Sequence, residues 1–278
     1  LTGSDDFFLG HGQKTHSKDS LKPSEETIRQ QIVPALKEAM DGETNNDIVT
    51  ACLIALAKIG DATDEEGDSE FEALIRGRLN DAVQEVRETA AVALGILANP
   101  ASIDLLEQLA TDAPEGRRVT GDEAGINYRT RAFATFGLGL IGNRTEDPEV
   151  RKRLVTTIHG ILEDREDHPT RDIRVAALIS LGLVPIEPMQ IPVKPESELE
   201  KGEDPYVIGT DPARSREDQI RYLINYFEST KKHYLIKAHV PRALARLLIG
   251  APEELRIDAA EAILVSAGKR AKGQKELR

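Results

Sequence analysis

The residues of this chain whose types suit catalysis or metal binding are few and scattered. There is one cysteine, Cys52, and there are six histidines. His11 and His16 lie close together, but no carboxylate or thiol spacing near them completes a metal site. The acidic stretch 61–70 does not follow the alternating acidic pattern of a calcium-binding loop. We therefore predict no catalytic residue, no cofactor-binding residue and no metal ligand.

One glycine-rich run has the spacing of a dinucleotide-binding loop. Residues 137–142 read Gly-Leu-Gly-Leu-Ile-Gly. Such a loop binds pyrophosphate only where it follows a strand and opens a helix. Here the run lies inside a stretch of small residues with helical spacing, so we interpret it as part of a helix.

Two groups of basic residues are candidates for contacts with a partner. Arg117 and Arg118 lie in the polar stretch 112–127, and the second group lies in a basic and aromatic segment between Tyr222 and Arg246. That segment is suited to an acidic partner or a nucleic acid; it also fits amphipathic helices that hold their rings in the core, and we favour this second interpretation. The predicted partner-binding residues are Arg117, Arg118, Lys232, Lys237, Arg242 and Arg246.

The charge distribution favours a protein or peptide partner. The net charge of −12 argues against binding nucleic acid. Residues 41–128 carry 6 Lys and Arg against 19 Asp and Glu, whereas residues 211–278 carry 14 against 9. No apolar run is long enough to span a membrane. Because the chain begins at Leu1, we expect a fragment of a longer protein, with an exported parent as one interpretation; its compartment and oligomeric state stay open.

Composition and apolar spacing predict an all-α fold. The chain is 40% hydrophobic and only 4% aromatic, so its core consists mainly of Leu, Ile, Val and Ala. The predicted organisation has an extended arm at 1–22, whose Phe7, Phe8 and Leu9 dock on the body, and a helical body at 23–268. A loop at 112–127 and a Pro-rich insertion at 185–212 interrupt this body, and a basic tail follows at 269–278. Helices are predicted at about 25–42, with a kink or a break at Pro34, and at about 47–59, 70–80, 83–98, 101–111, 128–142, 148–163, 171–183, 213–229, 231–249 and 252–268.

A helical unit rich in small residues recurs along the chain. Its clearest copy is the stretch 86–97, Val-Arg-Glu-Thr-Ala-Ala-Val-Ala-Leu-Gly-Ile-Leu, and Arg87, Arg131, Arg174 and Arg256 occupy its second position in successive copies. The first three arginines are 44 and 43 residues apart, and the last follows after 82, close to two such periods. A bulkier helix lies between copies, so the unit is a helix pair. One pair alone cannot bury its apolar face, but a stack of pairs can.

The unit Val-Arg-x-x-Ala-Ala-x-Ala-Leu-Gly resembles that of the HEAT-repeat family, including its bacterial lyase-like subgroup. The resemblance implies an armadillo-type fold, a right-handed α-solenoid of about six helix pairs that serves as a binding scaffold. It also implies that the repeated arginines bridge to acids of adjacent pairs, with Asp81, Glu85 and Asp172 as candidates. A row of guanidinium groups that binds carboxylates on the concave face is the alternative.

The resemblance leaves three functions open. We expect a non-enzymatic scaffold that binds a protein or peptide through the concave face and the stretches 112–127 and 185–212. The alternatives are an enzyme or enzyme accessory related to the lyase-like proteins, and a structural segment of a larger extracytoplasmic protein. The iron-binding hydroxylases of this fold hold their metal through His-Glu pairs, and no histidine of this chain precedes a Glu.

Overall fold

The structure, a computed structural model, is α-helical and contains no strand in the part of the chain that it describes. The arm at 1–22 lies outside the described residues, and so do its predicted docking residues Phe7, Phe8 and Leu9 and its histidines His11 and His16. His168 is also outside them. So are most of the Pro-rich insertion and the end of the tail. The described residues are 23–65, 67–164, 167, 169–189 and 209–273.

Several helices begin where a polar side chain accepts a hydrogen bond from a backbone N–H of the first turn, which satisfies an otherwise unpaired donor. Ser24, Asn45, Ser69, Asn127 and Ser215 act in this way. The helices are α1 (Glu25–Thr27), α2 (Val33–Gly42), α3 (Asn46–Ile59), α4 (Glu70–Gly77), α5 (Gln84–Leu97), α6 (Ser102–Ala110), α7 (Pro114–Thr120), α8 (Tyr128–Arg144), α9 (Pro148–Glu163), α10 (Arg171–Leu181), α11 (Arg216–Glu228), α12 (Tyr234–Lys237), α13 (Val240–Leu247) and α14 (Glu253–Gly273).

Pro34 widens the first helix without ending it. Proline has no backbone N–H, and its ring excludes a hydrogen bond to the carbonyl four residues earlier. The preceding residues Ile28–Ile32 form a π-helical turn, and the N–H of Val33 donates to the carbonyl of Ile28, five residues back. This turn joins α1 to α2.

The stretch 112–127, predicted to be a loop, contains helix α7. Pro114 stands at the first helical position, where its missing N–H costs nothing. Gly121 follows the helix with a φ of +71°, a left-handed conformation that ends helices. Gly116 packs against the preceding helix, because a Cβ at this position would lie 2.6 Å from the carbonyl oxygen of Gln108. The two glycines that indicated a loop therefore have a packing role and a capping role.

The predicted helix at 231–249 is two helices, α12 and α13. Pro241 lies in the first turn of α13, where it cannot donate to a carbonyl in the preceding turn. The last helix, α14, continues through Gly268 to Gly273. The segment predicted as a basic tail from residue 269 therefore begins as a helix.

Helices with the small-residue unit pack on one another in chain order over part of the chain. Helix α3 packs on α5, α5 on α8, α8 on α10, and α10 on α13. The bulkier helices α6 and α9 pack on α8, and α9 also packs on α10. The chain ends with α11 packed on both α13 and α14. The copies of the unit in α5, α8 and α10 thus contact one another in order, whereas α14, which carries Arg256, packs on α11.

The small residues of the unit lie where these helices approach most closely. A Cβ on Gly95 of α5 would clash with the backbone of Gly137 in α8. A Cβ on Gly139 would lie 2.6 Å from the Cβ of Ser180 in α10, and one on Gly182 would lie 2.5 Å from the Cβ of Ala243 in α13. We call these contacts the seam: Gly95, Gly137, Gly139, Ser180, Gly182 and Ala243.

Candidate binding groove

A partly open cavity of about 310 Å³ lies along the helices that carry the small-residue unit. Side chains of α3, α5, α8, α10 and α13, together with residues just beyond α10 and just before α13, line it. We call this cavity the basic groove. Its large apolar lining residues are Val92, Ile96, Phe136, Leu140, Ile179 and Leu183, and its basic lining includes Lys58, Arg144, Arg242 and Arg246; Ala243 of the seam also borders it.

Helical periodicity explains why these side chains converge. Residues four positions apart lie on one face of a helix. Phe136, Leu140 and Arg144 share one face of α8 at this spacing. The groove residues of α5 and of α13 are also spaced by four, as are Ile179 and Leu183. The same helices therefore present small residues to one another and large residues to the groove.

The groove has a positive electrostatic character. The described residues that line it include no Asp or Glu, although the whole chain has a net charge of −12. Arg144 donates to the carbonyl of Ile96 near the end of α5, where helix carbonyls lack helical partners. Burial, together with the neighbouring charge of Arg242, lowers the pKa of Arg246 from its usual value. The arrangement favours a ligand that brings both apolar groups and carboxylates or other anions.

The repeated arginines do not all have the same partner. Arg87 forms an ion pair with Asp122 at 3.0 Å, and Arg131 forms one with Asp167 at 2.5 Å. Each aspartate lies in the connection that leads to the next copy of the unit. Arg131 also donates to the carbonyl of Ala110, and it is almost fully buried. These two arginines tie their helices to the following connection and do not line the groove.

The other two arginines have different surroundings. Arg174 donates to the backbone carbonyl of Asp164 at 3.1 Å, and its Nε is buried without a hydrogen bond. Arg256 is exposed on α14. Of the acids considered from sequence, Asp81 forms an ion pair with Arg78 and accepts a hydrogen bond from the N–H of Val83.

The six basic residues predicted to contact a partner fall into separate places. Arg242 and Arg246 line the groove. Arg117 and Arg118 lie on α7, where they pair with Asp112 and Glu115 respectively.

The two lysines of this set lie at a polar cluster between α9 and α11. Lys232 belongs to the cluster, and Lys237 lies close to it. Lys232 donates to Glu163 at 2.5 Å. Lys237 donates to the carbonyl of Ser229 and lies 5.7 Å from the ring centroid of Phe227. These bonds tie the connection after α11 to its neighbours.

The centre of the polar cluster is the carboxylate of Glu163. Tyr222 donates its hydroxyl to this carboxylate at 2.5 Å, and the ring of His159 meets that of Tyr222 edge-on at 4.7 Å. Although burial acts to raise it, hydrogen bonds from Lys232 and Tyr222 hold the pKa of Glu163 below its usual value. Burial lowers the pKa of His159 and raises that of Tyr222. The cluster contains groups that could transfer protons, but Tyr222 and Lys232 both already donate to the carboxylate.

The acidic loop also uses its carboxylates internally. Asp61 accepts hydrogen bonds from the hydroxyl of Ser69 and the N–H of Phe71, and Asp64 accepts one from the N–H of Asp68. Among the described residues, no group of three or more His, Cys, Asp and Glu side chains is arranged to hold a metal ion. Cys52 is buried in α3, and the glycine-rich run at 137–142 lies within α8.

Comparisons of the sequence with models of known protein families and with curated proteins find no match. None of the described helices has the length and apolar character needed to cross a membrane.

Proposed function

We propose that the chain is a right-handed α-solenoid of HEAT-like helix pairs that binds a segment of a partner protein in the basic groove. The packing of α3 on α5, α5 on α8 and α8 on α10, in chain order, supports the solenoid. The observation that carries the binding function is the groove itself: five helices far apart in sequence bring apolar side chains and four cations to one cavity.

The size and chemistry of the groove favour a short peptide segment. Its volume of about 310 Å³ is at the lower end of the roughly 300–1,000 Å³ typical of small-molecule sites. A few large apolar side chains fill such a space, and a segment in a groove is anchored by a few residues of this kind. Arginines beside the apolar lining select a segment that also carries carboxylates. The proposed ligand is therefore an acidic and apolar segment of a protein.

Selection from a peptide library tests this function. Peptides that bind the chain should combine aromatic or aliphatic residues with adjacent Asp or Glu. The double substitution Arg242→Glu and Arg246→Glu should weaken their binding by about tenfold or more, equivalent to ~1.4 kcal/mol. Lys152→Glu with Lys231→Glu is the matched control, because both lysines are exposed, lie outside the groove and change the net charge equally.

Two results would count against this proposal. Selected peptides without acidic residues would contradict the role of the cations, and equal binding by the groove variant and the control would place the ligand elsewhere. A stoichiometric chromophore or metal in the purified protein would favour the alternative of an enzyme related to the lyase-like proteins. If the chain is instead a structural segment that binds no ligand, the library should yield no binding peptide.

A further inference from the structure

A histidine lines the basic groove beside two of its arginines. His239 lies immediately before α13, and Arg242, Ala243 and Arg246 follow it three, four and seven positions later. Residues at these spacings share one face of a helix, and all four border the groove. His239 is half-buried, and its side chain does not cap the backbone of α13. Its imidazole is therefore placed to contact a ligand in the groove.

The imidazole of His239 differs from the other polar groups of the groove, because those groups already have interactions. Asn143 donates to the carbonyl of Leu183. Each of the four cations interacts with another group of the protein. Within the part of the chain that the structure describes, the imidazole of His239 forms no hydrogen bond and no ion pair. A carboxylate can thus bind the imidazole without replacing an existing contact.

Among the described residues that line the groove, no acid stabilises the charged form of His239. The charged groups of this lining are Lys58 of α3, Arg144 of α8, and Arg242 and Arg246 of α13. Helix α10 packs on α13 and contributes an apolar side chain to the groove, and α11 packs on α13 without lining it. Lys237, two residues before His239, donates to the carbonyl of Ser229. A ligand carboxylate would therefore add a negative charge that the described lining lacks.

Histidine responds to such a carboxylate at mildly acidic pH. The charge of a histidine side chain changes between about pH 5 and 8. Asp and Glu, with ordinary pKa values of about 3.9 and 4.3, stay ionised over most of that range. An opposite charge within about 4–6 Å favours the charged form of a group. A ligand carboxylate thus favours the uptake of a proton from solvent by the imidazole, and by linkage a falling pH strengthens binding.

We propose that His239 is a specificity-determining residue of the basic groove, whose imidazolium forms an ion pair with a carboxylate of the bound segment. The groove then binds an acidic segment more tightly at pH 5.5 than at pH 7.5. It also distinguishes that segment from one that carries amides in place of the acids. This inference rests on the proposed function, because it takes the groove to be a site for acidic and apolar segments.

The experiment measures the fluorescence anisotropy of a rhodamine-labelled acidic peptide, selected from the library at pH 7.5, in the presence of the full chain. Lowering the pH to 5.5 should reduce the Kd by about three- to tenfold. A tenfold change corresponds to a difference of about one pH unit in proton affinity between the free and the bound imidazole. The same peptide with its Asp and Glu changed to Asn and Gln should show a change in Kd of less than about twofold.

Substitutions at His239 separate its charge from the general effect of pH. His239→Gln keeps a polar side chain that stays neutral, and it should bind the acidic peptide equally at both pH values. His239→Arg carries a permanent charge, and at pH 7.5 it should bind about as tightly as the unsubstituted chain binds at pH 5.5. His233→Asn is the matched control, because His233 is exposed outside the groove and Asn can keep its cap on Leu235. This control should retain the full pH dependence.

Several results would overturn the proposal. They are an unsubstituted chain whose binding does not depend on pH, a pH dependence that survives in His239→Gln, and an equal gain with the amide peptide. A His239→Arg variant that binds no more tightly at pH 7.5 than the unsubstituted chain would also overturn it.

The double substitution Arg242→Glu and Arg246→Glu separates this inference from the proposed function. If that variant loses affinity at pH 7.5 but the pH dependence does not require His239, the inference is wrong and the groove remains the peptide site. If that variant binds the peptide as the unsubstituted chain does, both proposals are wrong.

Discussion

Helix α8 carries seam residues and groove residues on different sides. Gly137 and Gly139 are two positions apart, so they lie on nearly opposite sides of the helix, where they contact α5 and α10 respectively in the seam. Phe136 and Leu140 share a third side and line the basic groove. The seam requires small side chains because neighbouring backbones touch there, whereas the groove contains large side chains with space around them.

If the groove binds a ligand as proposed, stability and binding depend mainly on different residues of the same helices, although Ala243 belongs to both sets. A change in the seam should alter the approach of two helices and lower stability. A change in the groove should leave that approach unaffected and change only what the groove can hold. The predictions below test this separation, beginning with the largest expected effect.

The seam contact between Gly95 and Gly137 should tolerate no added methyl group. Gly95→Ala places a Cβ against the backbone of Gly137 and should lower the free energy of unfolding by about 2–3 kcal/mol, as overpacking does. Gly160→Ala is the matched control in α9, where a Cβ meets no atom within 4 Å. That variant should raise the free energy of unfolding by about 0.5–1 kcal/mol. Urea denaturation measures both values, and two changes of the same sign would contradict the seam.

The buried arginine of the repeat should contribute more to stability than the exposed one. Arg131→Met leaves the carbonyl of Ala110 and the carboxylate of Asp167 without this donor, and should cost about 1–3 kcal/mol. Arg256→Met changes the equivalent position of the unit at an exposed site and should alter stability by less than about 0.5 kcal/mol. The same denaturation experiment compares them. Equal costs would mean that the position in the unit, rather than the local partners, determines the contribution.

His159 lies outside both the seam and the groove, and its substitution should give the smallest change in stability. Because burial lowers its pKa, the folded state favours the neutral imidazole. The stability from this preference is complete above the unfolded pKa of about 6.5 and is lost as the pH falls from there towards the folded pKa. His159→Phe should reduce the loss of stability between pH 7.5 and 5.5, by at most about 1.4 kcal/mol per pH unit. An unchanged pH dependence would show that the imidazole is equally easily protonated in both states.

The sequence predicts the helices well because their signals are local. The all-α fold and most helix positions follow from apolar spacing and composition, and the small residues at 86–97 correctly indicated close packing of helices. The missed features depend on neighbours. The glycine and proline of α7 predicted a loop, because the packing of Gly116 against Gln108 is a tertiary contact. Pro241 lies in the first turn of α13, and the apolar spacing alone did not indicate that a new helix begins there.

The basic groove could not be predicted from sequence as a site. Its residues carry no motif, and they come from helices that are distant in the chain. Arg242 and Arg246 were proposed as partner-binding residues because of their charge, but nothing local distinguished them from Arg117 and Arg118, which pair within α7 and its flanks. One signal was available: Phe136 and Leu140, large residues spaced by four, share a side of α8 that neither Gly137 nor Gly139 occupies. That spacing identifies a further apolar side of the helix, although it does not say what lies across from it.

The most direct test of whether the seam and the groove act separately measures peptide affinity and the free energy of unfolding on the same variants. With a library-selected acidic and apolar peptide, Arg242→Glu with Arg246→Glu should lose at least about tenfold in affinity and change stability by less than about 0.5 kcal/mol. Gly95→Ala, measured where it remains folded, should lose stability and keep its affinity within about twofold. Loss of affinity only in parallel with loss of stability would contradict the proposal that the seam supports the fold and the groove binds the ligand.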